Sequence, residues 1–197
     1  MNRGSHEPVS LPKMGRSFRR WGVVAFLVAV TAPAWAQSVA PNLRAAVIAS
    51  ALGYERSIRE GDGPLRIIIA SDVGGQRDGD TMLDAFRAFA SRSRISGRTV
   101  QLRRAVHNGD VRATLRGNAH VVYIANGTDA ATARQLIAAM RPGQVAVCGD
   151  GSLVTMGCAL GVEPHANRAR PVVHLATARE QGLSFEGRLL RLSRVIQ

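Results

Sequence analysis

Residues 119–148 read AHVVYIANGTDAATARQLIAAMRPGQVAVC and contain the signals for a strand, a helix and a second strand, in that order. The opening run, Ala119–Ile124, is apolar and β-branched, which is typical of a buried strand. Thr128 or Asp129 can cap the helix, and Arg141-Pro142-Gly143 ends it before the short strand Gln144–Cys148. A strand, a crossover helix and another strand predict two parallel strands in one sheet.

The same alternation of strands and helices continues on both sides of this unit. Further strands are expected at residues 65–70, 98–105, 157–162 and 170–175, and the longer helical patterns lie at 42–59, 80–90 and 184–196. Asp80 or Thr81 is the expected cap of the 80–90 helix. The pattern predicts a single three-layer α/β domain over residues 37–197, with helices on both faces of a mostly parallel sheet. The fold is Rossmann-like, but the chain lacks the GxGxxG fingerprint of dinucleotide-binding domains.

The first 36 residues have the three parts of a secretory signal peptide. A basic start ending at Arg19-Arg20 precedes the apolar run Trp21–Val30, and Ala34-Trp35-Ala36 is a small-x-small cleavage site. The apolar run is too short for a comfortable membrane span. We expect cleavage after Ala36 and export of the remaining chain to the periplasm. Translation from Met1 makes a long leader and translation from Met14 an ordinary one, so either methionine is a candidate start.

The charge of the chain limits the class of partner. The 197 residues include 26 basic and 14 acidic ones, for a net charge of +12 at pH 7, and every basic residue after the leader is Arg. A nucleic-acid-binding protein would cluster its basic residues among stacking aromatic side chains. Here the arginines are scattered and aromatic residues make up 5% of the chain. We therefore predict no nucleic-acid partner, whereas an acidic protein surface or an anionic membrane face fits the charge.

Cys148 and Cys158 are the two cysteines of the chain. An even number of cysteines in an exported chain favours a disulfide, which would close a loop of about eleven residues. Two buried, unpaired thiols are the alternative, and whether the pair is redox-active is left open by the sequence.

Motifs for catalysis, metal binding and cofactor binding are missing from the sequence. Gly74-Gly75 and Gly149-Asp150-Gly151 follow strands, where α/β folds place ligand loops, but tight turns are the better explanation. The mature serines form no GxSxG elbow, and the histidines form no HxH or HExxH. The aspartates of residues 72–84 lack the ligand order of a calcium loop. We predict no enzymatic activity, no metal and no cofactor; the residues weighed for these roles are Asp72, Asp78, Asp80, Asp84, His107, His120, His165 and His174.

The predicted C-terminal helix has an apolar stripe and a basic face. Phe185, Leu189, Leu192 and Ile196 share the stripe, with Leu190 beside it. The basic face is a candidate surface for an acidic partner, although a solvated face of a core-packed helix explains it as well. Its residues recur every third position: Arg188, Arg191 and Arg194.

The ending of the chain resembles the YfiR family of periplasmic proteins. The resemblance rests on residues 119–124 and 145–148 and, most specifically, on PVVHLATAREQGLSFEGRLLRLSRV at residues 171–195. The chain resembles a divergent member, because His174 stands where the family usually has Asn, and Ala119 where a Cys often precedes the strand. A two-disulfide arrangement cannot be transferred to a chain with two cysteines.

The resemblance implies a non-enzymatic role outside the cytosol. Such a protein represses a membrane-bound diguanylate cyclase by binding its periplasmic part, which lowers cyclic-di-GMP signalling and couples it to envelope redox state. A homodimer is left open. A periplasmic small-ligand-binding protein, using the loops after Ala70, Ile124 and Cys148, is the first alternative. An envelope hydrolase using His120 or Asp150 is the second.

Overall fold

The computed structural model describes residues 39–166 and 168–197, and the predicted leader lies outside them. The strands are β1 (Leu65–Ser71), β2 (Val100–Val106), β3 (Val121–Ile124), β4 (Val145–Cys148), β5 (Leu160–His165), β6 (Arg168–His174) and β7 (Arg194–Ile196). The helices are α1 (Pro41–Leu52), α2 (Arg56–Glu60), α3 (Gln76–Ala90), α4 (Val111–Thr114), α5 (Ala130–Ala138), α6 (Leu175–Glu180) and α7 (Gly187–Leu192), with a 3-10 helix at Gly151–Met156. None of the helices in these two ranges is long and apolar enough to cross a bilayer.

The strands form one seven-stranded sheet in the order β2-β1-β3-β4-β5-β6-β7. Strands β1 to β5 are parallel to one another, β6 is antiparallel to β5, and β7 is parallel to β6. The strand-helix-strand unit predicted from residues 119–148 is confirmed as β3, α5 and β4, with Val121 opposite Val145 and Ile124 opposite Cys148. Asp129 is the cap of α5, since its Oδ2 accepts hydrogen bonds from the backbone N–H groups of Ala131 and Thr132.

Two buried clusters lie on opposite faces of the sheet. Helices α1 and α3 cover the first, which we call the α1 face, with Ile48, Leu52, Met82 and Phe86 packed on Ile67 and Ile69. Helix α5 and the 3-10 helix cover the second, the α5 face, where Leu136 and Val154 join Ile68 and Val122. Successive strand residues point to opposite faces, so the β-branched runs of the central strands supply both clusters. The three-layer α/β prediction is confirmed.

A buried ionic group joins α1, α3 and β3. Arg44 Nη1 donates to Asp78 Oδ1 at 2.8 Å, and Tyr123 Oη donates to Asp78 Oδ2 at 3.0 Å. The backbone N–H of Asn126 also donates to Asp78 Oδ2, at 2.9 Å. Burial raises the pKa of Tyr123 well above its ordinary range, so its hydroxyl keeps the proton that it donates. The carboxylate of Asp78 therefore holds three segments that are far apart in the chain.

Helix α3 begins earlier than the sequence indicated. It starts at Gln76, and Asp80 and Thr81 lie inside it, so the prediction that one of them caps the helix is wrong. Asp72 organises the start instead, since its Oδ1 accepts from the N–H of Gly75 and its Oδ2 from that of Asp129. A methyl at Gly75 would lie 2.4 Å from Thr128 Oγ1. A glycine is required where this turn meets the loop after β3.

The first and last predicted helices are both interrupted. Residues 53–55 separate α1 from α2, and Glu55 caps α2 by accepting from the N–H of Ile58 at 2.9 Å. The expected closing helix at 184–196 is reduced to α7, and residues 194–196 form β7. This strand pairs with Val172–His174, which satisfies backbone groups at the sheet edge. The β-branched pair Val195-Ile196 favours a strand over a helix.

Candidate partner-binding groove

An apolar groove of about 360 Å³ lies on the α1 face, between α1, β6 and α7. Helix α1 and its following turn contribute the side chains at positions 47, 51 and 54, which recur at helical spacing on one side. Leu192 stands at the rim and is 61% exposed. The apolar lining residues are Val47, Ala51, Tyr54, Ala169, Pro171, Leu189 and Leu192.

Positive charge surrounds this groove. Exposed Arg168 lies on its lining, which contains no carboxylate. Arg188 and Arg191 are exposed on α7, four residues and one residue before Leu192, and form no ion pair within the described residues. Apolar side chains framed by cations fit a partner segment that presents apolar residues among acidic ones.

The basic face predicted from Arg188, Arg191 and Arg194 is not a single helix face. Arg194 opens β7, and its Nε donates to Glu163 Oε2 at 2.8 Å. Oε1 of the same carboxylate accepts from Arg170 Nε at 2.9 Å, so Glu163 ties β5, β6 and β7 together. Leu192, expected in the apolar stripe that faces the core, points outward because the helix is short and Leu189 takes the buried position. The basic surface is thus smaller, and an exposed leucine belongs to it.

Cys148 and Cys158 form a disulfide, with their Cα atoms 5.8 Å apart. The bridge lies on the α5 face and closes the segment that contains the 3-10 helix. This helix packs tightly on β5 and β6: a methyl at Gly161 would lie 2.6 Å from Val154 Cγ1, and one at Gly151 would lie 2.7 Å from Val172 Cγ2. Ala169 and Pro171 of the same β5–β6 hairpin line the groove on the opposite face. The disulfide and the groove therefore share one structural element.

The loops proposed for a small ligand after β1, β3 and β4 fill the space between them with their own atoms. A methyl at Gly149 would lie 2.3 Å from Tyr123 Oη and 2.5 Å from Asn126 Oδ1. A methyl at Gly74 would lie 2.7 Å from the carbonyl oxygen of Gly127. Burial opposes ionisation of Asp72, but the N–H groups of Asp129, Gly75 and Gly74 hold its pKa below the ordinary value. These groups hold the loops together.

The remaining candidate residues are separated by the fold. His120 precedes β3 and Asp150 follows β4, at opposite ends of the sheet, so they cannot share a reacting group. Asp150 caps the 3-10 helix by accepting from the N–H of Ser152 at 2.8 Å. Asp80 pairs with Arg104 and Asp84 with Arg87, and both carboxylates lie on α3. Within the two described ranges, no three His, Cys, Asp or Glu residues come together as metal ligands.

His120 is a structural residue whose surroundings disfavour the protonated imidazole. Its Nδ1 accepts the backbone N–H of Arg66 at 3.0 Å, and its Nε2 lies 3.3 Å from Arg98 Nη2. Burial, then the charges of Arg98 and Arg66, lower the pKa of His120. The neutral imidazole is the form that the folded protein accommodates.

This arrangement predicts that the folded protein loses stability below about pH 6.5, the ordinary pKa of histidine. The unfolded chain binds the proton at a higher pH than the folded chain, so the loss grows until pH reaches the lowered folded pKa and is constant below it. Urea unfolding at several pH values measures it. His120→Gln should weaken the pH dependence. An identical pH dependence in His120→Gln and the unsubstituted protein would show that His120 has no such role.

Comparisons with known proteins agree with this fold. A domain from Streptococcus pneumoniae, solved in complex with L-Trp, superposes with a TM-score of 0.57 at 10% identity, over 80% of this chain and 62% of that one. A conserved domain protein from Vibrio cholerae superposes with a TM-score of 0.56 at 12% identity, over 80% and 60%. The chain thus spans about three fifths of these solved chains, and the likeness is one of fold. No curated protein matches the sequence.

A family model described as YfiR/HmsC-like matches residues 42–194. The match runs from the second residue of α1 to the first residue of β7 and so includes the sheet, the disulfide and the groove. It confirms the resemblance carried by the C-terminal sequence, and the chain belongs to the YfiR/HmsC-like family.

Proposed function

We propose that this protein is a periplasmic, non-enzymatic regulator that binds the periplasmic part of a membrane-bound diguanylate cyclase and lowers cyclic-di-GMP signalling. Membership of the YfiR/HmsC-like family over residues 42–194 carries this proposal. Export would follow cleavage of residues 1–36 after Ala36. An inhibitor of this kind works by binding one conformation of its receptor more tightly than another, which shifts the receptor population.

The groove between α1, β6 and α7 is the proposed contact surface. Leu192 would enter an apolar pocket of the partner, and Arg188 and Arg191 beside it would meet acidic side chains. Arg194 would act indirectly, because its pairing with Glu163 fixes the strand that follows α7. An apolar side chain with arginines around it agrees with interfaces whose centres are apolar and in which Arg is enriched.

Redox control is proposed to reach the groove through the sheet. The disulfide fixes the segment containing the 3-10 helix, and that helix packs on Gly161 and Val172 of the β5–β6 hairpin. The oxidised bridge would keep this hairpin in its binding shape. Reduction would free the 3-10 helix and weaken the groove on the other face.

Leu192→Asp is expected to abolish repression without unfolding the protein, because Leu192 is largely exposed while an interface centre excludes charge. Cyclic-di-GMP should be measured in cells that lack the gene and in cells complemented with each form. The unsubstituted protein should lower the nucleotide level and Leu192→Asp should not. Val73→Asp is the matched control, since Val73 is 78% exposed and lies before α3, outside the groove. Equal repression by Leu192→Asp and the unsubstituted protein would contradict the proposal.

A further inference from the structure

A second cavity, of about 330 Å³, lies on the α5 face at the beginning of β1 and β2. In the register of these strands Arg66 pairs with Gln101 and Ile68 with Arg103, and the alternation of side chains places all four on one face. Val111 of α4 packs against the buried cluster that contains Ala70 and Ala105, which lie near the other end of β1 and β2. The loop of residues 116–119 forms the facing wall of the cavity.

The lining of this cavity combines three arginines with an apolar base. Arg66, Arg103 and Arg116 line it, together with buried Ile68 and Ala119, and no carboxylate is among the lining residues. None of the three arginines forms an ion pair in the part of the chain that the structure describes. Guanidinium groups are planar, permanently charged donors that match the oxygens of carboxylates and phosphates. Three guanidinium groups around one cavity favour the binding of an anion there.

The arginine-bearing walls are held in place before any ligand arrives. Arg103 Nη2 donates to the carbonyl oxygens of Thr114 and Arg116, both at 2.8 Å. Arg141 fixes the same loop from its other side by donating to Gly117 O at 2.8 Å and Asn118 Oδ1 at 3.2 Å. Because hydrogen bonds hold both sides of the loop, ordering it on binding would cost little free energy. Burial lowers the pKa of Arg103, but an arginine remains charged, and partial burial strengthens its attraction for an anion.

We propose that this cavity binds a small organic oxyanion, one phosphate or carboxylate group carried on a single ring or a short chain. The anionic group would lie among Arg66, Arg103 and Arg116, and the apolar part would lie over Ile68 and Ala119. The volume is at the lower end for ligand pockets, which limits the ligand to a small molecule. The cavity is on the sheet face opposite the partner groove, so the proposal of an anion site does not depend on the proposed regulatory function.

Titration calorimetry with phenyl phosphate tests this site directly. One molecule should bind per chain, phenol should not bind, and inorganic phosphate should bind more weakly because it lacks the ring. The double variant Arg66→Gln, Arg116→Gln should lose about tenfold or more in affinity, equivalent to about 1.4 kcal/mol. Neither side chain donates a hydrogen bond within residues 39–166 and 168–197, so the fold should be retained, as circular dichroism would verify. Arg103 is kept because it supports the loop.

Arg134→Gln is the matched control, an exposed arginine on α5 outside the cavity, and it should bind like the unsubstituted protein. Amide NMR shifts on titration should centre on Ile68 and Gly117. A second arm uses vesicles with and without phosphatidylglycerol, and binding to these vesicles in the absence of binding to phenyl phosphate would assign the arginines to a lipid headgroup and overturn the soluble ligand. Full affinity in the double variant, or no heat with the unsubstituted protein at millimolar phenyl phosphate, would also overturn the proposal.

Discussion

Asp78→Ala is expected to lower the free energy of unfolding by about 3–5 kcal/mol, the typical cost of removing one partner of a buried ion pair. Arg44, whose side chain is only 6% exposed, would keep its charge without a counter-ion. The hydroxyl of Tyr123 and the N–H of Asn126 would lose their acceptor as well. Because a domain of this size has a total stability of about 5–15 kcal/mol, the loss should be visible as poor expression or a low urea midpoint.

Two further variants separate this effect from a general sensitivity of α3. Asp84→Ala removes an exposed carboxylate from the same helix and should change stability by no more than about 0.5 kcal/mol. Asp78→Asn keeps the side-chain shape and one acceptor, so its loss should lie between the other two. Urea unfolding followed by circular dichroism gives all three values. A stability of Asp78→Ala within 1 kcal/mol of the unsubstituted protein would show that the group does not hold the three segments together.

Replacing both cysteines by alanine is expected to cost about 3 kcal/mol, the chain-entropy value for a closed loop of this length. The sequence separation of Cys148 and Cys158 is 10 residues, and both side chains are fully buried. The double change avoids leaving one free thiol in an apolar cluster. Stability should be measured by urea unfolding with and without dithiothreitol. The reductant should destabilise the natural protein and have no effect on the double variant.

The same double variant tests redox control separately from stability. Under conditions where the double variant remains folded, we expect weaker repression of cyclic-di-GMP signalling. The reason is that the 3-10 helix no longer supports the β5–β6 hairpin. Normal repression by a folded double variant would contradict redox control, whereas the proposal that the groove binds the partner would be unaffected. A change in stability below about 1 kcal/mol would contradict the structural role of the bridge.

The central part of the fold was predictable because its signals are local. The strand at residues 121–124, the cap at Asp129 and the stop at Arg141-Pro142-Gly143 all lie within 30 residues and agree with one another. The disulfide followed from an even cysteine count in a chain that its leader predicts to be exported. The family followed from the ending of the chain, where the spacing of apolar residues and arginines is specific.

The parts that could not be predicted depend on partners distant in sequence. From the sequence, Arg44 has the pattern of a solvent-facing helix residue. Its partner, Asp78 of α3, lies 34 positions away in the chain. The role of Arg194 depends on Glu163, and the exposure of Leu192 depends on the helix ending early to form β7. The anion cavity requires the pairing of β1 with β2, which no local pattern specifies. Each of these features depends on tertiary contacts that local propensity does not specify.

The proposed function depends on binding of a membrane cyclase through the groove at α7. The most direct measurement is titration of the predicted mature chain, residues 37–197, with the purified periplasmic part of an inner-membrane diguanylate cyclase from the same organism. We expect saturable binding that Leu192→Asp weakens at least about tenfold, equivalent to about 1.4 kcal/mol, while Val73→Asp binds like the natural protein. Binding that is equally strong in both variants, or absent in the natural protein, would contradict it.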